Sequence, residues 1–175
     1  MLIIKKRGRP AEEVYLVSNS EIAQIGGQNM VSIRNFHEQD ARQLLQLKYQ
    51  YKSIEEIKEI INLWNEKVYN GSYYEMFAVC DQDEIVGSVS LYQHSDYIIS
   101  AGPEIYIPYR KKGYGYEALM LAYDYAKDLG YKIASAQIRT DNVASMRLHE
   151  KLGFQRDCEM INRKGKSVYI YSKQL

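Results

Sequence analysis

The sequence predicts an α+β fold: one central mixed sheet, mostly antiparallel, with helices on its faces. Two observations support this. Segments with strand character follow one another at residues 75–80 and 85–92 and again near the end of the chain. One strand–helix–strand unit, residues 97–139, lies between them. Its two strands should be parallel neighbours, because a crossover helix returns the chain to the same sheet.

Length and composition indicate one domain whose net charge is too small to create a strong electrostatic field around it. The chain has 175 residues and a net charge of +1, so neither nucleic acid nor a membrane surface is favoured by charge. Two cysteines, Cys80 and Cys158, predict no disulfide framework, and the histidines and cysteines show no close pair of metal ligands. The apolar start at residues 2–4 is too short for a signal peptide or a membrane span, so we expect a cytoplasmic protein.

Residues 1–30 form an extension before the main domain, residues 31–175. Their pattern is compatible with a β-hairpin made of residues 2–5 and 13–17. Such a hairpin would lie on a sheet edge, and pairing with the edge of a second subunit would favour a homodimer.

Residues 5–10, Lys-Lys-Arg-Gly-Arg-Pro, resemble the core of the AT-hook, whose arginines enter the narrow minor groove of A/T-rich DNA. Glu12 and Glu13 follow at once and weaken this basic patch. A solvated charge run in a turn explains the same residues. Nucleic acid is therefore an alternative partner and not the expected one.

The first part of the main domain reads as one strand and two helices. Residues 31–36 alternate apolar and polar, which is typical of a half-buried strand. A first helix follows. Ser53 and Glu56 then form a capping box, and apolar residues at helical spacing continue to Val68. We expect this second helix to end at residues 70–71, Asn-Gly.

Three strands should follow as a meander, residues 75–80, 85–92 and 97–107. Gly102 and Pro103 lie inside the third strand, and both residue types are expected to disturb a hydrogen-bonded ladder. Residues 131–139 are the expected parallel neighbour of that strand. The sequence therefore predicts an irregular ladder in this part of the third strand.

A strand–turn–helix segment at the end of the third strand predicts an anion site. The turn contains three cations and two glycines, Arg110, Lys111, Lys112, Gly113 and Gly115. Glycines let the backbone approach a ligand, and the unpaired N–H groups at the start of a helix attract negative charge. These features suit a pyrophosphate or another polyanion.

Two blocks identify a family. The Rossmann and Walker A patterns are absent, but Arg110 to Gly115 fits Arg-x-x-Gly-x-Gly. Residues 142–154 read Asn-Val-Ala-Ser-Met-Arg-Leu-His-Glu-Lys-Leu-Gly-Phe. The two blocks resemble, in order and spacing, the motifs of the GNAT family, the GCN5-related N-acetyltransferases. The resemblance covers roughly residues 31–175.

The resemblance implies a GNAT fold and an N-acetyltransferase that binds acetyl-CoA and passes the acetyl group directly to a primary amine in a ternary complex. The acceptor would be a small molecule or a peptide. The cofactor arm would lie in the gap between the separated parallel strands, and free N–H groups near Tyr106 and Ile107 would polarise the thioester carbonyl. The expected cofactor-binding residues are Tyr106, Ile107, Arg110, Lys111, Lys112, Gly113, Tyr114, Gly115, Tyr116, Asn142 and Ser145.

Glu104 and His149 are the candidate catalytic residues. Glu104 lies on the strand beside the gap, where an apolar wall could raise its pKa toward neutrality and suit it to be the general base. The alternative is a solvated charge at a strand edge. His149 stands where the family most often has a tyrosine that serves as general acid. It could protonate the leaving sulfur or only position the thioester.

Other functions remain open on the sequence. The changed acid position fits a non-catalytic acyl-CoA sensor, and residues 5–10 fit a DNA-associated regulator. The acceptor is equally open: an antibiotic, a polyamine, an amino acid, a peptide N-terminus and a protein lysine all match the pattern.

Overall fold

A computed structural model describes residues 15–16, by their backbone, and residues 31–175. The strands of this part are β1 (Tyr15–Leu16), β2 (Val31–Asn35), β3 (Val68–Tyr69), β4 (Ser72–Asp81), β5 (Glu84–Gln93), β6 (Ile98–Ile105), β7 (Ile133–Arg139), β8 (Gln155–Ile161) and β9 (Ser167–Gln174). The α-helices are α1 (Ala41–Leu47), α2 (Ile54–Asn65), α3 (Tyr114–Asp128) and α4 (Val143–Lys151). Two short 3₁₀ turns span Glu38–Asp40 and Ile107–Tyr109.

The strands form one mixed sheet in the order β1-β2-β4-β5-β6-β7-β9-β8, with β3 paired to β4. Neighbouring strands are antiparallel except for β6 and β7, which are parallel and joined through α3. The α+β prediction with one parallel pair is therefore confirmed.

Alternation along the strands divides the core between the two faces of the sheet. One cluster contains apolar residues of α3, such as Leu119 and Ala122, together with Leu91 and Ile99 of the sheet. On the other face, α1 and α2 pack against a cluster that includes Ile85. A strand with both faces buried needs apolar residues at every position, and residues 77–80 of β4 have this composition.

The capping box of α2 is present, but the predicted end of that helix is wrong. The Ser53 side chain accepts from the Glu56 N–H at 3.2 Å, and the Glu56 carboxylate accepts from the Ser53 N–H at 2.7 Å. The helix ends at Asn65, and Asn70 and Gly71 instead make the turn between β3 and β4, with φ of 51° and 77°. Two successive residues at positive φ are what a tight hairpin turn requires.

The ladder between β5 and β6 runs unbroken through Gly102 and Pro103, which pair with Ser90 and Val89. The expected disturbance does not affect the pairing with β5, because Pro103 has its missing N–H on the side away from β5. The separation occurs on the β7 side. There the pairing stops after Ile99, opposite Ala134.

Most of the N-terminal extension lies outside the described residues. This holds for residues 2–5, for the basic run at residues 5–10 and for most of residues 13–17, so the hairpin remains a prediction. Within that stretch, β1 pairs antiparallel with β2, with Tyr15 opposite Ile33.

Three other expectations concern the described residues. Cys80 is buried, Cys158 is exposed, and both are free thiols. None of the helices in residues 31–175 is long and apolar enough to cross a membrane. The same residues contain no cluster of His, Cys, Asp or Glu suited to a metal ion.

Candidate active site

The site is built around the gap between residues 100–105 of β6 and residues 135–139 of β7. Below it the strands are joined, since the Ile133 N–H donates to the Tyr97 carbonyl at 3.0 Å. Odd-numbered residues of β6 thus direct their backbone groups toward β7. In the gap, the Ala101 N–H instead donates to the Tyr123 hydroxyl of α3 at 3.3 Å. Tyr123 is a member of the site that the sequence reasoning missed.

The expectation of a free N–H at Tyr106 is wrong. The Tyr106 N–H donates to the Val86 carbonyl of β5 at 3.0 Å. Backbone alternation therefore directs the N–H of Ile105 into the gap. Pro103, which faces the same way, has no N–H to offer. Ile107 begins a 3₁₀ turn just beyond the end of β6, at the mouth of the gap.

The turn between β6 and α3 has the form expected of an anion site. Lys111 and Gly113 have positive φ of 64° and 93°, and α3 begins directly after Gly113. Arg110 is fixed to the end of β6 because its Nε donates to the Ile105 carbonyl at 2.9 Å. The Lys112 ammonium lies 5.8 Å from the Tyr109 ring centroid. The turn at the mouth of the gap thus combines the backbone N–H groups at the start of α3 with three cationic residues, Arg110, Lys111 and Lys112.

Gly115 has no positive φ, and the protein leaves room for a side chain there. A Cβ would lie 3.7 Å from Ile105 Cγ1 and 3.9 Å from Leu148 Cδ2, which are ordinary contacts. Packing therefore does not require this glycine. Its bare backbone instead keeps the first turn of α3 open to a ligand.

The side chains of Tyr114 and Tyr116 lie in different environments. The Tyr114 ring is buried and its hydroxyl donates to Asp81 Oδ2 at 2.5 Å. Burial and this hydrogen bond raise the pKa of Tyr114 to about 12. Only the Tyr114 backbone is thus available at the turn. The Tyr116 ring is partly exposed and lies 4.4 Å from the Lys151 ammonium.

Asn142 caps α4 on the other side of the gap. Its side chain accepts a hydrogen bond from the Ser145 N–H at 3.1 Å, as the sequence predicts. The Ser145 hydroxyl lies 3.5 Å from His149 Nδ1, one turn further along the helix.

His149 is buried and has one nitrogen without a partner. Nδ1 lies 2.8 Å from the Ser145 carbonyl, which can only accept, so the proton is on Nδ1. Nε2 is then an acceptor, and it has no hydrogen-bond partner among residues 31–175. Burial lowers the pKa of His149, so the neutral ring is favoured.

Aromatic contacts place the His149 ring next to the gap. It meets Phe154 edge-on, with centroids 5.1 Å apart, and Phe154 lies 5.3 Å from the Tyr123 ring. Tyr123 in turn bonds the backbone of β6 inside the gap. An unpartnered acceptor buried at this place fits the polar arm of a ligand that enters between the strands.

The Glu104 side chain lies on the face of the sheet that is opposite α3, toward α1. Its carboxylate accepts a hydrogen bond from the Lys48 ammonium at the end of α1, and its side chain is 47% exposed. Lys48, not the expected apolar wall, is its partner. Burial alone would lower the pKa of Lys48, but the hydrogen bond and the charge of Glu104 outweigh it and raise that pKa. No local pattern in the sequence indicates this pair.

A sequence profile of the acetyltransferase (GNAT) domain matches residues 30–155. A search of curated proteins found no match.

Three solved structures show the same fold at low identity. RimJ of Mycobacterium smegmatis, in complex with a CoA disulfide, is 13% identical with a TM-score of 0.70, over 83% of this chain and 82% of RimJ. RimL, a ribosomal alpha-N-protein acetyltransferase, is 18% identical with a TM-score of 0.70, over 98% and 99%. A chimera of the Vibrio cholerae spermidine N-acetyltransferase SpeG is 19% identical with a TM-score of 0.64, over 81% and 94%.

Proposed function

We propose that this chain, which belongs to the GNAT acetyltransferase family, transfers the acetyl group of acetyl-CoA to a primary amine in a ternary complex. The observation that carries the proposal is the gap between β6 and β7, with the anion turn at its mouth and the unpartnered His149 Nε2 beside it. These residues fit acetyl-CoA: its pyrophosphate needs an anion site, and its amide-containing arm needs a gap with a hydrogen-bond acceptor. CoA is bound in the RimJ structure and in one RimL structure.

Binding of the pyrophosphate is assigned to the turn of residues 110–115. The N–H groups at the start of α3 would donate to the phosphate oxygens, and Lys111 and Lys112 would add charge. Arg110 contributes by joining the turn to β6 through the Ile105 carbonyl. Asn142 and Ser145 line the other wall, at the start of α4.

The thioester supplies an activated acetyl group, and the protein has to orient its carbonyl. A backbone N–H that points into the gap can stabilise the charge that develops on the carbonyl oxygen. Ile105 is the residue of β6 that offers one, because the Tyr106 N–H is held by Val86.

Glu104 is proposed to take the proton that the acceptor amine loses. It lies next to Ile105 in the strand and directs its carboxylate to the open side of the sheet, where water can relay the proton. The Lys48 ammonium is hydrogen-bonded to that carboxylate, so the ammonium of an acceptor would have to displace Lys48. This also makes Glu104 a site that already binds an ammonium.

His149 is proposed to position the cofactor arm and not to act as a general acid. The Nδ1–H bond to Ser145 leaves Nε2 as an acceptor, and a lowered pKa disfavours the protonated ring that could donate there. A leaving thiolate with a thiol pKa of about 8.5 has little need of an acid at neutral pH. Nε2 would accept from an N–H group of the arm.

The acceptor is proposed to be an amine of a small molecule or a peptide, and the cytoplasm remains the expected location. Two of the structural neighbours are named for ribosomal-protein and spermidine acetylation, which supports this broad class. A homodimer built through the N-terminal extension remains a prediction.

The experiment is a thiol-release assay with acetyl-CoA across a panel of primary amines, alongside calorimetry of acetyl-CoA binding. We expect Glu104→Gln to bind acetyl-CoA like the parent and to lose at least about 100-fold in turnover, as for removal of a general base. Glu59→Gln, an exposed carboxylate on α2, is the matched control. Binding without thiol release from any amine would contradict transfer and favour the acyl-CoA sensor.

A further inference from the structure

The face of the sheet opposite α3 is only partly covered by helices. α1 and α2 pack over Ala78, Cys80 and Ile85. Beyond them, alternation puts one row of side chains on the same face, and none of the helices in residues 31–175 lies above this row. This row, the open strip, consists of Ser90, Tyr92, Ser100, Gly102 and Glu104.

The upper end of the open strip already binds a primary ammonium group from the protein itself. The Lys48 Nζ donates to the Glu104 carboxylate and lies 5.3 Å from the centroid of the Tyr49 ring. A carboxylate and the face of a phenol are the two partners that hold an ammonium most readily. Lys48 thus shows how the amine of an acceptor can be held there.

The lower end of the strip is walled by tyrosine rings. The Tyr69 ring lies 5.8 Å from Tyr74 and 6.4 Å from Tyr92, and Tyr92 meets His94 edge-on at 5.2 Å. We call Tyr69, Tyr74 and Tyr92 the tyrosine wall. His94 completes it as a neutral group: burial lowers its pKa, and its Nε2 lies 2.9 Å from the Ser100 hydroxyl.

The tyrosine wall and Glu104 are connected in space. Tyr92 lies opposite Ser100 and Ser88 opposite Glu104, so the strip runs about 13 Å along the strands at the usual rise per residue. The pKa of Tyr74 is raised mainly by burial, and the charges of Lys48 and Tyr49 also act on it.

Gly102 leaves a clear passage between the two ends. Its φ is not in the left-handed region, and the one atom within 4 Å of an added Cβ is Ser90 Oγ, at 3.5 Å. Gly87, by contrast, could not carry a Cβ, which would lie 2.5 Å from the Glu104 carbonyl oxygen. Neither backbone conformation nor packing requires glycine at position 102. The space that it leaves is open to a ligand.

We propose that the open strip binds the acceptor and that this acceptor is a linear primary alkylamine. Its ammonium replaces Lys48 on Glu104, and its chain passes Gly102 and lies along the tyrosine wall. The inference rests on the proposed function, which it deepens by naming the acceptor class. In the reaction the bound ammonium loses one proton to Glu104, and the resulting amine nitrogen bonds to the acetyl carbon. The carbon–sulfur bond then breaks, and the second proton of the nitrogen passes through water to the leaving thiolate, which departs as CoA.

The strip disfavours acceptors with a carboxylate beside the amine. Such a group would come close to Glu104 when the amine is bound there, and like charges repel. Phenol rings attract cations and stack on alkyl chains, but they offer no counter-charge to an anion. Free amino acids should therefore be poor acceptors.

The test measures thiol release with acetyl-CoA for spermidine, for linear diamines of increasing length and for amino acids. It compares the parent with Gly102→Ala and Tyr92→Leu. Tyr97→Leu is the matched control, since Tyr97 is an exposed tyrosine outside the strip. Calorimetry of acetyl-CoA and thermal unfolding of each variant separate acceptor binding from cofactor binding and from folding.

We expect the linear amines to have the highest kcat/KM, and Gly102→Ala to raise their KM about tenfold while the fold stays as stable as the parent. Tyr92→Leu should raise that KM about fivefold, as for loss of one cation–π contact. Acetyl-CoA affinity should not change in either variant.

Three results would overturn the inference. If the parent acetylates amino acids better than linear amines, or if both variants match Tyr97→Leu, the acceptor does not lie on the strip, although transfer itself stands. If no amine releases thiol, the proposed function falls and the acceptor assignment falls with it.

Discussion

The Ala101 N–H donates a hydrogen bond to the Tyr123 hydroxyl at the place where β6 leaves β7. In a continuous sheet a strand carbonyl would accept from this N–H. A helix side chain therefore satisfies the Ala101 N–H where the strands begin to separate, so the gap opens there without leaving this buried donor unpaired.

Tyr123→Phe removes that acceptor and leaves the Ala101 N–H unpaired in a buried place. We expect the free energy of unfolding to fall by about 1–3 kcal/mol, the cost of an unsatisfied buried group. Chemical denaturation measures it. Tyr97→Phe, at an exposed tyrosine, should change little. Equal stability of the two variants would mean that the hydrogen bond does not hold the gap.

Gly115→Ala separates cofactor binding from folding. The added methyl group has ordinary contacts with Ile105 and Leu148, and alanine favours a helix over glycine by up to about 1 kcal/mol. We expect an unchanged or higher melting temperature with at least tenfold weaker acetyl-CoA binding, because the methyl group stands where phosphate approaches. Parent-like affinity in calorimetry would remove Gly115 from the cofactor site.

His149→Phe tests whether the unpartnered Nε2 serves a ligand. The change removes a buried polar atom without a partner, so the free energy of unfolding without cofactor should fall by less than about 1 kcal/mol or rise. Acetyl-CoA affinity should fall about tenfold, the value of one hydrogen bond.

His149→Gln is the informative comparison, since an amide oxygen can replace the Nε2 acceptor. Partial recovery of affinity in that variant supports the positioning role. A large loss of stability in both variants, with unchanged affinity per folded molecule, would make His149 a packing residue only.

Glu75 should make stability depend on acid pH. This carboxylate is fully buried on β4 and accepts from Lys67 at 2.6 Å, Asn35 at 2.8 Å, Tyr125 at 3.0 Å and also from Tyr73. Burial would raise the pKa of Glu75, but the hydrogen bonds from Lys67, Tyr73 and Asn35 outweigh it and lower that pKa below 4.5.

Because the folded pKa is the lower one, the stabilisation is present above pH 4.5 and is lost as the pH falls through the folded value. We expect Glu75→Gln to unfold about 1–3 kcal/mol more easily than the parent at neutral pH and to approach it as the pH falls below the folded pKa of Glu75. Denaturation curves across this range measure the difference. A constant difference at all pH values would contradict the assignment.

Sequence reasoning reached the elements that rest on local hydrogen bonds. The Ser53 and Glu56 box, the Asn142 cap and the turn of residues 110–115 lie within a few residues of their partners, so their spacing alone specifies them. The end of α2 was missed because Asn70 and Gly71 suit a helix end and a hairpin turn equally well.

The sequence predicted the candidate site only in part, because strand register decides which groups face the gap. Which N–H of β6 points into the gap depends on how β6 pairs with β5. We expected free N–H groups near Tyr106 and Ile107, but the Tyr106 N–H bonds β5 and alternation directs that of Ile105 into the gap. The Lys48 and Glu104 pair joins residues far apart in the chain, and only the packing of α1 on the sheet brings them together.

By itself, the sequence determined the α+β class, the strand–turn–helix anion site and the family, because these depend on period, capping and motifs that neighbouring residues complete. Only the tertiary structure decided which backbone groups face the gap, that His149 Nε2 has no partner among residues 31–175, and that the same residues leave the strip beside Glu104 open. Those features arise from strand register and from helix packing, which are set by contacts between distant parts of the chain.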